Sequence, residues 1–183
     1  MLGETGRVTL SNSIDNGIVE TVNLAYSYHD PVVVAFINSA NGTESVEVRV
    51  RNVTSDSFEV FMEEPDDQSH QSETISYIVL EKGHYQLDGG LEIAAGTVET
   101  DAVHRTGDAF AGEPVTFTTP FAVAPAILHT LNSYNNGAFM SSIAHASSAA
   151  GFTIQQEAGG TGATAVTDTW AWVDSLGGTA VNP

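Results

Sequence analysis

The sequence contains no cysteine, and Lys82 is the single lysine among five basic residues. The first absence excludes disulfides, thiolate zinc sites and cysteine nucleophiles, while leaving the redox compartment open. The second excludes a nucleic-acid partner, because phosphate binding needs cationic patches. Against those five basic residues stand 23 acidic ones, a formal charge of −18. In dilute buffer such a charge repels itself. At molar salt the screening length falls to about 3 Å and the repulsion is largely cancelled. The composition therefore fits a high-salt or marine setting. No apolar stretch approaches the roughly 18 residues that a membrane-spanning helix needs. The first residues, Met1 to Gly6, lack the basic and apolar regions of a signal peptide. A removed leader, or another way out of the cell such as assembly into a virion, is the expectation.

What is present favours strands. Val, Thr and Ile dominate the patterned stretches, and no long segment carries apolar residues at helical spacing. The chain also repeats itself. Pro31-Val32-Val33-Val34, Asn38-Ser39, Ser57-Phe58, Glu63 and Gly83 recur, 94 residues on, as Pro125-Ala126-Ile127-Leu128, Asn132-Ser133, Gly151-Phe152, Glu157 and Gly177. A common offset in matching strand-and-turn contexts points to duplication. The expected architecture is all-β, two related antiparallel β-sandwich units in tandem. Residues 1–83 form the first unit, 113–183 the second, and 84–112 a strand-containing connector.

Strands are expected at Arg7–Ser11, Ile18–Leu24, Val32–Ile37, Ser45–Val53, Phe58–Met62 and Thr74–Glu81 in the first unit. In the second they fall at Pro114–Thr118, Ala126–Leu131, Ala138–Ala146, Phe152–Gln156 and Thr167–Val173. The connector offers Leu91–Ala94 and Thr97–Thr100, with Asp88-Gly89-Gly90 and Ala95-Gly96 as turns, and should pair with one of the sheets. Asn41-Gly42 signals a hairpin. Val46, Val48 and Val50 alternate with Glu47, Arg49 and Arg51, so one face of that strand is buried and the other wet.

Three motifs point to a family. Phe117-Thr118-Thr119-Pro120-Phe121-Ala122-Val123-Ala124-Pro125, then Gly151-Phe152-Thr153-Ile154, and Trp170-Ala171-Trp172 before a glycine have counterparts in Pro31–Val34, Arg51–Phe58 and Ile75–Val79. Each half resembles an H-type lectin domain. The resemblance implies a compact antiparallel sandwich, a homo-oligomer (a trimer in that family), and sugar binding at loop ends near protomer interfaces. It assigns no sugar contact to any residue here.

The most polar connection runs from Glu63 to Glu73. Clustered carboxylates on a turn suit calcium, which takes six to eight oxygens, so Glu63, Glu64, Asp66 and Asp67 are candidate ligands although no calcium-loop pattern occurs. The same segment could instead be a ligand-facing loop, through Asp66, Asp67, His70 and Glu73, or a solvated acidic connection. His70 and Glu73 could also pair to steady it. Its counterpart, Ala158–Thr167, has lost the charges. Trp170 and Trp172 share one face, as sandwich core or as a stacking platform. Tyr26 and Tyr28 form a similar pair. Tyr134, Asn135 and Asn136 sit in an expected turn, where a rigid scaffold best presents a contact surface. Arg49 and Arg51 could grip a carboxylate-bearing ligand, but in a chain this acidic they should pair with acidic neighbours across the sheet. Six scattered histidines, His129 and His145 among them, show no metal-ligand spacing. Asn41-Gly42-Thr43 and Asn52-Val53-Thr54 are glycosylation sequons.

No nucleophile elbow, metal-binding helix motif or phosphate-cradling glycine loop occurs, so no enzyme is expected. Two readings remain: a recognition module contacting glycans or a host-surface ligand, and a structural component of an extracellular or virion assembly.

Overall fold

A computed structural model describes residues 1–65, 69–158 and 165–176. The chain is all-β. Its first part runs β1 (Gly3–Leu10), β2 (Glu20–Asn23), β3 (Pro31–Ile37), β4 (Glu47–Arg51), β5 (Ser57–Glu63) and β6 (Glu73–Glu81). There follow β7 (Gly83–Gln86), β8 (Glu92–Thr100), β9 (Val103–His104), β10 (Glu113–Thr116), β11 (Ala126–Leu131), β12 (Met140–Ser148), β13 (Gly151–Ala158) and β14 (Asp168–Leu176).

Four sheets result. Sheet order β1-β6-β3 faces β2-β5-β4 across a core of Val33, Val48, Val50, Phe58, Val60, Ile75 and Val79. Sheet order β11-β14-β8-β7 faces β10-β13-β12, with β9 added in parallel on β13, across Phe117, Leu131, Met140, Phe152, Ile154, Trp170 and Trp172. Period-2 alternation makes these faces, because successive side chains on a strand point to opposite sides. Trp170 and Trp172 are 0% and 8% exposed, so they fill the sandwich and offer no platform.

The repeat is visible in the topology. β1-β6-β3 corresponds to β8-β14-β11, and β2-β5-β4 to β10-β13-β12. Asn52 and Ala146, the two non-glycine residues with positive φ among those described, occupy the same place in the two halves, at φ 51° and 54°. One correction to the ungapped offset comes from the last strand. Asn38 N–H donates to Thr74 O, and Asn132 N–H to Thr169 O. Glu73 therefore matches Asp168, one residue beyond the common shift. The repeat's terminal Gly177 lies outside the described residues.

Two turn expectations fail. Asn41-Gly42 does not join a hairpin, because β3 and β4 belong to opposite sheets and the segment arches between them. Ala95-Gly96 is not a turn either; β8 runs straight through it and pairs with β14. Gly96 is there because a Cβ would lie 2.4 Å from the Trp172 ring. The missing side chain marks a close approach within a strand.

The sandwiches also pack on one another. Val32, Val34 and Leu80 from the β1-β6-β3 sheet meet Ala95, Ala171 and Val173 from the β8–β14 pair. β3 is thus buried on both faces, which explains its unbroken apolar run, Val32 to Ala35. Its edge is covered as well. The Thr130 hydroxyl donates to Ala35 O at 2.8 Å and accepts from Ala35 N–H at 2.9 Å, satisfying a strand edge that would otherwise be bare.

Candidate functional site

Most residues that the sequence singles out are engaged within the protein. Two matching loops account for several. In the first half Glu73 accepts from the Ser39 hydroxyl and from the backbone N–H groups of Asn41 and Gly42, at 2.7 and 2.8 Å for the last two. In the second, Asp168 accepts from the Ser133 hydroxyl at 2.6 Å and from Asn135 N–H at 3.0 Å. The Asn41 and Asn135 side-chain amides donate to Ser72 O and Thr167 O, at 2.7 and 2.9 Å. These contacts explain why Asn-Ser recurs: serine and the loop amides fold around an acidic residue that opens the final strand. The donors hold the Glu73 carboxyl down at about 2.

Tyr134 stands where the first loop has Ala40, and it reaches across the inter-sandwich boundary. Its ring meets Phe61 edge-on at 5.0 Å, and the Arg49 guanidinium lies 4.8 Å from its centroid. Arg49 is fully buried, which corrects the wet face expected for it. It pairs with Glu63 at 3.0 Å and Asp168 at 3.4 Å, and donates to the Asn136 and Ser133 carbonyls. A loop of the second sandwich covers this face of β4, and the guanidinium ties the halves together. Burial and Glu63 push the Tyr134 phenol up to about 12. Asn136 is buried, its amide on Gln156.

In the described part of the expected calcium and ligand loop, Pro65, Ser69, Gln71 and Ser72 are exposed and the acidic and histidine side chains turn inward. Glu63, Glu64, His70 and Glu73 are all buried. His70 bridges Glu64 through Nδ1 at 2.5 Å and Glu73 through Nε2 at 3.4 Å, so the suggested His70–Glu73 contact is present within a larger cluster. Asp66 and Asp67 lie outside the described residues. Among the described residues no group of three or more acids or histidines has the arrangement of a metal site. Arg51 pairs with Glu59 at 2.7 Å. Tyr26 and Tyr28 diverge: Tyr26 is exposed, while Tyr28 is buried and donates to Glu4 at 3.3 Å. His129 contacts Ser142 at 2.7 Å, and His145 packs on Phe110.

A different surface is open to solvent. On the outer face of the β1-β6-β3 sheet, Arg7, Ser76 and Phe36 lie directly opposite one another in a cross-strand row. They border a depression of about 600 Å³, with Thr5, Asn38 and Ile78 around it. Phe36 is 40% exposed. Arg49, Arg51, Lys82 and Arg105 all have a carboxylate within 4 Å; Arg7, among the described residues, has none. The side chains of Thr5, Asn38 and Ser76 likewise make no hydrogen bond to the described protein, unlike the loop residues above. In the second sandwich the matching row is Thr97, Ala171 and Thr130, and Ala171 and Thr130 are buried against the first sandwich. Among the described residues the row is therefore open in the first sandwich and covered in the second.

No local pattern in the sequence marks this groove. Phe36 closes an apolar run that reads as uniformly buried, and only the extent of the neighbouring sandwich decides that β3 emerges there.

The chain is similar to halomucin. It is 35% identical to that protein of Haloquadratum walsbyi, over a match covering 56% of this chain and 1% of halomucin. The chain thus spans a very small part of the curated relative it matches. No family model matches the sequence, and no solved structure matches it.

Proposed function

We propose that the chain is a non-catalytic, lectin-like recognition module of an extracellular assembly, and that it binds glycans in the Arg7–Ser76–Phe36 groove. The observation that carries this reading is the row itself: an exposed aromatic ring and polar side chains without internal partners, set on a rigid sheet. Sugars bind by laying a ring face on an aromatic side chain while hydroxyl and amide groups orient it. The similarity to halomucin of Haloquadratum walsbyi supports placement outside the cell. The acidic composition supports a high-salt medium. Shallow binding of this kind gains from oligomer symmetry, and a homo-oligomer such as a trimer belongs to the proposal.

The test is a glycan array at molar salt, with and without calcium, on the wild-type chain and on Phe36→Ser. Retention of particular glycans by the wild type, weakened in the variant, supports the reading. Failure to retain any glycan at millimolar sensitivity ends it.

A second reading, a structural component of a cell-surface or virion assembly, has its own support. β12 is an edge strand of nine residues without a charged side chain, in a chain of net charge −18. Such an edge is a template for pairing with another chain. Sedimentation at molar salt separates the two: assembly that is lost on Ile143→Lys, with no glycan bound, favours the structural role.

A further inference from the structure

We infer that the groove selects sugars bearing an anionic group, a carboxylate or a sulfate, through Arg7. This deepens the glycan-binding reading and rests on it. The argument begins with charge. Four of the five basic side chains are matched to carboxylates, and among the described residues Arg7 alone has none; it is exposed, on a chain of net charge −18. A guanidinium so placed has acidic groups in abundance within the same protein, yet the fold presents it to a depression bordered by hydroxyl, amide and aromatic groups.

Spacing sets the size of the ligand. Neighbouring strands lie about 4.8 Å apart, so the backbones of Arg7 and Phe36, with β6 between them, are separated by about 10 Å. One sugar ring can lie on Phe36 and direct a substituent toward Arg7 across the small Ser76. The planar guanidinium fork matches both carboxylate and sulfate oxygens and can take them in two parallel hydrogen bonds. At molar salt, where point-charge attraction is screened, that directional pairing is the part that survives. Thr5, Ser76 and Asn38 remain to meet the ring hydroxyls. At the matching row of the second sandwich Thr97, Ala171 and Thr130 replace Arg7, Ser76 and Phe36, and Ala171 and Thr130 are buried.

The experiment measures binding by calorimetry at low and at about 1 M salt. The probes are a hexuronic-acid oligosaccharide, its carboxyl-reduced neutral counterpart, a sulfated oligosaccharide and a poly-glutamate peptide. The proteins are wild type, Arg7→Gln and Phe36→Ser, each with its melting temperature and sedimentation recorded. Among the described residues Arg7 makes no hydrogen bond or ion pair, so Arg7→Gln should melt as the wild type does. The expected result is that the wild type prefers an anionic sugar, and that Arg7→Gln or removal of the anionic group weakens binding at least about tenfold. The two changes should not add, because they remove one contact. The uronate and sulfate arms tell which anion is preferred. Glycan binding indifferent to Arg7→Gln would overturn the anionic selectivity and leave the glycan reading standing. Absence of binding to every glycan would end both. Equal binding of poly-glutamate, or self-association abolished by Arg7→Gln, would give the groove to a protein partner and overturn the inference.

Discussion

Arg49 of the first sandwich lies 3.4 Å from Asp168 of the second, and both side chains are fully buried. The pair sits at the boundary between the halves, with Glu63 on the other side of the same guanidinium. Taking charges out of water is costly, and removing one partner leaves the others uncompensated. Arg49→Met should therefore cost about 3–5 kcal/mol, read from denaturant unfolding at constant salt. Arg51→Met breaks the partly exposed pair with Glu59 and should cost about 0–1 kcal/mol. Equal losses in the two variants would show that Arg49 does not lock the sandwiches.

Asp174 faces the second core, fully buried, and neither of its oxygens meets a partner among the described residues. Burial pushes its pKa up to about 7. The folded chain then holds a proton that the unfolded chain releases near pH 4. Stability from this group is present at acidic pH and is lost as pH rises from about 4 to about 7. Glu47, also raised to about 7 by burial, acts in the same direction. Asp174→Asn should raise the melting temperature at pH 8 by more than about 4 °C and change it little at pH 4. A gain of the same size at both pH values would contradict the titration.

Glu73 has the opposite sign. Its pKa is held at about 2 by the Ser39 hydroxyl and the loop amides, so its contribution is present above the ordinary carboxylate range. It is lost as pH falls from about 4.5 to about 2. Glu73→Gln should be less stable than wild type at neutral pH, and the two melting curves should converge toward pH 2. Parallel curves down to that pH would remove the carboxylate from the account of the loop.

Ala146 adopts φ 54°, a left-handed conformation that alanine disfavours, at the position where the first half has Asn52. The residue is exposed, so its side chain contributes little packing. Ala146→Asn should stabilise the chain by about 0.5–1 kcal/mol, and Asn52→Ala should destabilise it by a similar amount. Calorimetric melting of the two variants checks both signs.

Thr130→Val keeps the shape of the side chain and removes the hydroxyl that serves Ala35 N–H and C=O. Two buried backbone groups then lose their partner, at an expected cost of about 1–3 kcal/mol. Hydrogen exchange at the Ala35 amide should accelerate in the variant; unchanged protection would mean that β3 is shielded by packing alone.

Much of the fold was legible because its signals are local. β11 was expected at Ala126–Leu131 and found there, and β3 differed by a single residue. Both are short apolar runs closed by turn residues. Gly96 misled because a glycine accommodating a ring across the sheet looks, in one dimension, like a glycine making a turn. The site was harder to read. Tyr134, Asn135, His70 and Glu73 have the composition of a binding loop, and what they bind in this structure is the protein itself. Composition records which groups can form hydrogen bonds and says nothing of which ones find a partner inside.

By itself the sequence determined the all-β class and the excess negative charge, since each is a property of residue type and near-neighbour order. It also carried the recurring Asn-Ser loops, whose purpose it did not disclose. Tertiary structure alone decided that Arg49 is buried while Arg7 stays open, although both are arginines on short strands. The reason is where the second sandwich ends: its loop closes over β4, and its sheet stops short of the Arg7–Ser76–Phe36 row. That limit depends on contacts between residues about a hundred positions apart, which no local pattern encodes.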